Sequence, residues 1–224
     1  MSSVQKNLSE IYARIESAAT RCGRKASEIR LVAVSKTHPP ELIREAFEAG
    51  QRAFGESRVQ EALPKLDALP AGIEWHFIGH LQTNKIRKVV ARFALFHGVD
   101  NENLAVQINR IAAELGVTAN VLLEVNVSGE ESKFRFAPEN LPAALQILAP
   151  QPFLRIRGLM TMAPLGLSAD QRRALFGECA ALAQELGLAE LSMGMSGDWP
   201  EAAAAGSTWV RIGSGLFGPK GCQG

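Results

Sequence analysis

Lys36 directly follows the apolar run Leu31–Ser35 and precedes Thr37-His38-Pro39-Pro40, a segment that reads as a helix start. A lysine at the mouth of a strand is partly withdrawn from water, which favours the neutral amine that attacks an aldehyde. The same position suits a lysine at a barrel rim with its ammonium in solvent, and position alone leaves both readings open. Two segments nearer the C-terminus look like an anion cradle, Met193-Gly194-Met195-Ser196-Gly197-Asp198-Trp199-Pro200 and Val210-Arg211-Ile212-Gly213-Ser214-Gly215. Ser196 can cap a helix beginning near Asp198, the glycines allow close backbone approach, and Ser214 adds a hydroxyl. Each segment alone is a common kind of turn. Together, placed after the last two expected strands, they point to a bound phosphate. Arg211, at the end of the last strand, either forms a structural salt bridge or faces the ligand.

Between these ends lies Trp75-His76-Phe77-Ile78-Gly79-His80-Leu81-Gln82-Thr83-Asn84-Lys85, a polar crossing from strand to helix. Strand alternation sends His76 to the face opposite Trp75 and Phe77, where it either orients a loop or touches a ligand. The two histidines enclose no glutamate in a zinc-protease arrangement and have no cysteine partner, so no metal site is expected. Ser57, in Gly55-Glu56-Ser57, and Asn126, in Glu124-Val125-Asn126, stand at further strand ends. By composition, Asn126 and the following Ser128 to Lys133 make an ordinary surface loop.

The elements that must position these groups follow from hydrophobic periodicity. A helix is expected over about residues 5–22, with Leu8, Ile11, Tyr12, Ile15, Ala18, Ala19 and Cys22 on one face and Gly23 breaking the pattern. Short apolar runs follow at Leu31–Ser35, Arg52–Gly55, Glu74–Ile78, Ala94–Val99, Val121–Val125, Leu154–Met160, Glu190–Met193 and Thr208–Ile212. Helical patterns separate them, such as Leu104/Ile108/Ile111/Leu115 and Leu175/Phe176/Cys179/Leu182/Leu186. Strands alternating with helices imply parallel crossovers, and eight such runs close a (β/α)8 barrel. An open doubly wound sheet is the competing architecture. In a barrel, every polar strand end named above opens onto one face.

The 224 residues suit one barrel domain, with no linker or repeat dividing the chain. Hydrophobic content of 46% with 21% charged residues excludes a disordered chain. A net charge of +1 gives no reason to expect nucleic acid or an anionic membrane, and the basic runs at 21–25 and 85–88 read as solvated helix faces or ends. Cys22, Cys179 and Cys222 show no metal spacing; the first two read as small core residues, and a reducing compartment follows. Neither a signal-peptide core nor an apolar run of transmembrane length is present, so a cytoplasmic protein is expected.

The stretches LVAVSKTHP (31–39), FGESRVQE (54–61), WHFIGHLQTNK (75–85), EVNVSGEESK (124–133), RGLMTMAP (157–164), LSMGMSGDW (191–199) and VRIGSGLFG (210–218) span nearly the whole chain. In order and content they resemble the pyridoxal phosphate homeostasis proteins, whose barrel is similar to the N-terminal domain of alanine racemase. The resemblance implies a single (β/α)8 TIM barrel of pyridoxal phosphate (PLP) fold type III, with an extra N-terminal helix. It implies PLP as cofactor, joined to Lys36 as a Schiff base, with Ser196, Gly213, Ser214 and nearby backbone amides on the phosphate. Arg211 matches the arginine facing the pyridine nitrogen, where a cation disfavours protonation of the ring. Asn126 becomes a pocket wall and Met195 lines the phosphate end.

The family is associated with intracellular PLP balance, and through it with amino-acid and keto-acid metabolism, without established turnover. PLP-dependent apoenzymes and amino acids are the further partners implied, and a monomer is expected. The alternative is a slow racemase, lyase or transaminase-like enzyme acting on a small amino acid. Alanine racemase carries a second, β-rich domain and a tyrosine base opposite its lysine. Here the sequence reaches Gly224 soon after the eighth run, and the one tyrosine, Tyr12, is in the leading helix, so racemisation is not expected. Three positions depart from the family pattern: Ser57 replaces asparagine, Arg58 replaces tyrosine, and Arg135 replaces glycine.

Overall fold

The computed structural model describes residues 2–129 and 135–218. The expectations for Cys222 and Gly224, and for residues 130–134 of the polar loop, lie outside the described residues. Helix α1 (Ser3–Arg21) comes first, its start fixed by a capping box in which the Ser2 hydroxyl accepts from the Gln5 N–H and the Gln5 carbonyl oxygen accepts from the Ser2 N–H. Strand and helix then alternate: β1 (Arg30–Val34), α2 (Pro40–Glu48), β2 (Ala53–Glu56), α3 (Val59–Ala68), β3 (Glu74–Phe77), α4 (Ile86–Val89) and β4 (Leu95–Val99). The second half continues with α5 (Glu102–Leu115), β5 (Ala119–Glu124), α6 (Leu141–Leu148), β6 (Leu154–Met160), α7 (Ala169–Glu185), β7 (Glu190–Met195), α8 (Trp199–Ala204), β8 (Trp209–Ile212) and α9 (Ser214–Phe217).

Every strand pairs in parallel with the next, and β8 returns to β1 through Arg30↔Trp209, Leu31↔Val210, Val32↔Arg211 and Ala33↔Ile212. The sheet is therefore closed, and the open doubly wound alternative is excluded. Closure separates two apolar sets. One, including Leu31, Phe54, Phe77, Phe96 and Val121, packs under the helices; the other, Val32, Ala53, Leu95, Leu122, Met160 and Trp209, faces the barrel interior. Alternation along each strand produces this division, as Leu31 and Ala33 go outward and Val32 inward. The interior also holds polar groups: His76, His97 and Ser192 are 0% exposed and Arg211 5%.

Each expected run overlaps a strand, with ends that differ by no more than two residues. Cys22 departs from expectation: α1 ends at Arg21, Cys22 caps it and is exposed, and Gly23 turns the chain away at φ 67°. The apolar stripe has run out by then, so of the two described cysteines Cys179 alone is in the core, with its thiol pushed up to about 12 by burial. Tyr12 is also partly exposed, its hydroxyl bonded to Gln51 Oε1 at 2.6 Å. Among the described residues, no helix is long and apolar enough to cross a membrane.

Candidate functional site

Lys36 lies in the turn just past β1, and the peptide preceding it is tied down from two sides. The Ser35 hydroxyl donates to Glu56 Oε1 at 2.7 Å, while Lys65 Nζ donates to the Ser35 carbonyl at 2.8 Å and to Glu56 Oε1 at 2.7 Å. All three side chains are buried, so β1, β2 and α3 meet at one polar knot. Burial raises the Glu56 carboxyl above its ordinary range against the pull of Lys65, and Glu56 Oε2 is buried with no hydrogen-bond partner among the described residues. On the other side of Lys36, Thr37 holds φ 67°, an uncommon conformation for a β-branched residue. The His38 N–H donates to the Ser35 carbonyl at 3.1 Å, and its ring stacks on Phe217 with centroids 4.9 Å apart. The lysine thus leaves a turn held at both ends.

Lys36 opens into a pocket of about 270 Å³ shared with Met195, Ser196, Arg211, Gly213 and Ser214. Val34, His38, Ile78 and Met162 add largely apolar walls. The hydroxyls of Ser196 and Ser214 are 3.3 Å apart and exposed, in position to donate to one anion. Two glycines are required by close packing here. At Gly194, with φ 91°, a Cβ would lie 2.7 Å from the Ala202 methyl, so the turn from β7 into α8 has no room for one. At Gly213 a Cβ would meet the Val34 carbonyl at 3.1 Å, pressing β8 away from the strand that carries Lys36. The turn after β7 is braced by Asp198, whose Oδ1 accepts from the Met195 N–H at 2.5 Å.

Arg211 reaches the pocket floor from inside the barrel. Its Nη1 donates to Ser192 Oγ at 2.5 Å and its Nη2 to the Thr161 carbonyl at 3.2 Å. Burial lowers its pKa to about 10, with Asp198 and Glu124 opposing the shift, so it remains a cation at neutral pH. No carboxylate is bonded to it among the described hydrogen bonds; of the two readings of Arg211, the geometry favours the one that faces the pocket.

The remaining expected residues lie elsewhere. Asn126 is outside this pocket's lining; its N–H donates to the Phe136 carbonyl at 2.9 Å and its Oδ1 accepts from Ser128. Ser57 lines a separate pocket of about 300 Å³ with Arg58, His80 and Lys85. His76 neither orients a loop nor reaches this pocket, because it points into the barrel interior and bonds His97 at 2.8 Å and Glu74 at 3.1 Å. The sequence reading passed over His97, which looked like part of an apolar run. The available signal was alternation, since His97 must share the inward face of Leu95. Lys65 was missed because helical periodicity places it on the buried face of α3 without naming its partner.

A sequence profile of the family described as "Alanine racemase, N-terminal domain" matches residues 7–221. A Synechocystis protein described as a pyridoxal phosphate homeostasis protein is 49% identical over 200 residues, covering 86% of this chain and 92% of its own. The structure of PipY from Synechococcus elongatus with PLP bound superposes with a TM-score of 0.85 at 42% identity, covering 96% of this chain and 100% of PipY. Alanine racemase from Streptomyces coelicolor shares the fold, with a TM-score of 0.73 at 22% identity over 96% of this chain and 58% of its own. Matching motifs, a closed barrel and near-complete coverage of its relatives agree that the chain belongs to the pyridoxal phosphate homeostasis protein family.

Proposed function

We propose that this chain binds PLP in the Lys36 pocket and acts in PLP homeostasis, holding or delivering the cofactor without turning over a substrate. The single observation that carries this reading is one pocket joining an amine, a cation and a pair of hydroxyls, with no tyrosine among them. The groups fit the cofactor's chemistry. Lys36 Nζ is the nucleophile for an aldehyde carbon. Ser196 and Ser214 donate to the phosphate, Arg211 offers its remaining N–H groups to the ring nitrogen, and Ile78, Met162 and Met195 shield the ring from water. When bound, PLP supplies an electrophilic aldehyde and an electron-accepting ring. A cation at the ring nitrogen weakens that acceptor, which suits storage better than turnover.

Proton transfer on two opposite faces needs a second base, and Tyr12 is at the far mouth of the barrel, in a cavity with Arg30, Ala53, Glu74 and Trp209. These last four are the first residues of β1, β2, β3 and β8, whereas Lys36 follows the end of its strand. The described residues contain no cluster of metal-ligating side chains. The partner reading extends from the pocket: its mouth opens to solvent, so PLP-dependent apoenzymes are the recipients, and the protein acts as a monomer in the cytoplasm.

Borohydride reduction of the loaded protein followed by peptide mass spectrometry tests the reading. One cofactor mass on the peptide bearing Lys36 is expected, and none in Lys36→Ala. Deuterium exchange at the α-carbon of common amino acids should not exceed that of free PLP. Rapid exchange with any of them would replace the storage reading with an enzymatic one.

A further inference from the structure

The barrel interior contains a continuous polar chain that crosses from the cofactor mouth to the opposite one. Arg211 Nη1 donates to Ser192 Oγ at 2.5 Å, Ser192 Oγ is 2.7 Å from His97 Nδ1, His97 Nε2 is 2.8 Å from His76 Nδ1, and His76 Nε2 is 3.1 Å from Glu74 Oε1. Its inner members are fully buried, whereas the Glu74 side chain is 47% exposed at the far rim.

The donor inventory gives the chain a direction. A carboxylate only accepts and a guanidinium only donates, so when each imidazole carries one hydrogen the set of donors is fixed from the Glu74 end: Glu74 accepts from His76, His76 Nδ1 accepts from His97, and His97 Nδ1 accepts from the Ser192 hydroxyl, whose oxygen accepts from Arg211. His97 then carries its hydrogen on Nε2 and donates to His76 Nδ1, and His76 donates through Nε2 to the Glu74 carboxylate. Every bond points from Arg211 towards Glu74. The charges agree with this assignment. Burial first, with the Arg211 and Arg30 cations adding to it, holds the His97 imidazole well below its ordinary pKa, hence neutral. The hydrogen bond from His76 holds the Glu74 carboxyl below its ordinary range, hence ionised. The other acid at that rim, Glu190, is already satisfied by Arg157, Arg30 and the Trp209 indole. Trp209 packs its ring edge-on to His76 at 4.6 Å and carries Arg30 on its face at 3.7 Å, which closes the chain off from water.

We propose that Glu74 is a positioning residue for the cofactor site: through His76, His97 and Ser192 its carboxylate fixes the orientation of the Arg211 guanidinium at the other end of the barrel. Successive hydrogen bonds in one sense polarise each other, so an anion at the terminus strengthens the hold on the cation at the head. The inference rests on the PLP-binding reading for its consequence but not for its geometry, and the test separates the two.

Protein labelled with ¹⁵N-histidine and free of cofactor should show both His76 and His97 as Nε2–H tautomers in long-range ¹H–¹⁵N spectra. Glu74→Ala should mix the His76 and His97 tautomers, shift the absorption band of bound PLP, and weaken PLP affinity roughly 3- to 10-fold, the scale of one lost hydrogen bond. Glu74→Gln, which keeps an acceptor oxygen and loses the charge, should keep the tautomers and restore part of the affinity. A hydrogen on His97 Nδ1 in the wild type would overturn the proposal. So would a Glu74→Ala protein whose histidine spectra match the wild type, even with altered affinity. Failure of the wild type to take up PLP would remove the binding reading instead, leaving the cofactor-free spectra to decide the chain.

Discussion

In the proposed binding mode Lys36 and the two serines address opposite ends of the ligand, so their losses should be distinguishable. Lys36→Ala is expected to abolish the reducible adduct while leaving measurable calorimetric affinity for PLP. Ser196→Ala with Ser214→Ala should reduce the preference for PLP over its unphosphorylated form while still permitting the adduct at high ligand concentration. A charge-assisted hydrogen bond contributes roughly 1.5–3 kcal/mol, and water can replace these exposed hydroxyls, so the lower end is expected. His97 yields a different prediction. Its folded pKa lies well below the ordinary 6.5, so in acid the unfolded chain takes up a proton that the folded protein refuses. Stability should fall as pH drops below about 6.5, by up to about 1.4 kcal/mol per pH unit. Glu56 and Glu124, whose carboxyls are raised, contribute with the opposite sign in acid. The measurement is therefore the difference in urea midpoint between wild type and His97→Asn across pH 7 to 5, with the variant showing the flatter profile. At this scale the sequence pointed to Lys36, Met195, Ser196, Arg211, Gly213 and Ser214, which share one pocket, and also to Asn126, which lies outside it, but not to the inward-facing supports. Lys36, Ser196 and Ser214 stand at strand ends where polar residues interrupt apolar runs, whereas His97 sits inside such a run.

The tie among Ser35, Glu56 and Lys65 connects two strands and a helix, and its role is tested by removing its members separately and together. Lys65→Met leaves the Glu56 carboxyl buried beside no cation and should cost about 3–5 kcal/mol in urea denaturation. Lys65→Met with Glu56→Met replaces the pair by packed apolar groups and should recover most of that loss. The Ser35 carbonyl would keep the His38 N–H but lack its Lys65 donor, so adduct formation at Lys36 should remain slower than wild type in the recovered protein. Equal rates would make the knot purely a matter of folding. Elements were legible because each has its own local signal. Asn101 caps α5 through the Leu104 N–H, and Gly116 ends it in a left-handed turn. Arg135 shows where such signals stop. It holds φ 108°, a conformation that favours glycine, and its guanidinium is bonded to Glu124 at 2.8 Å, a contact that no local pattern displays.

Eight short apolar runs separated by helical patterns were enough to indicate a barrel, because parallel strands require crossovers and a closed ring needs eight of them. Which partners the interior polar groups bond was not legible, since alternation assigns a face to a histidine without naming what it meets across the barrel. Ring closure sets the energetics of the site. PLP at about 100 times its dissociation constant should raise stability by about 2.7 kcal/mol, readable as a concentration-dependent melting temperature. The seam between β1 and β8 should gain most hydrogen-exchange protection. That seam also has a consequence in time. Lys36 is made before Ser196 and Ser214. On the proposed binding mode, a chain made only as far as Lys36 would carry the amine without the anion site that gives it selectivity. If the pocket binds PLP as proposed, selective capture should wait until β8 and Ser214 have been made, and an occupied pocket would record that translation passed the last strand.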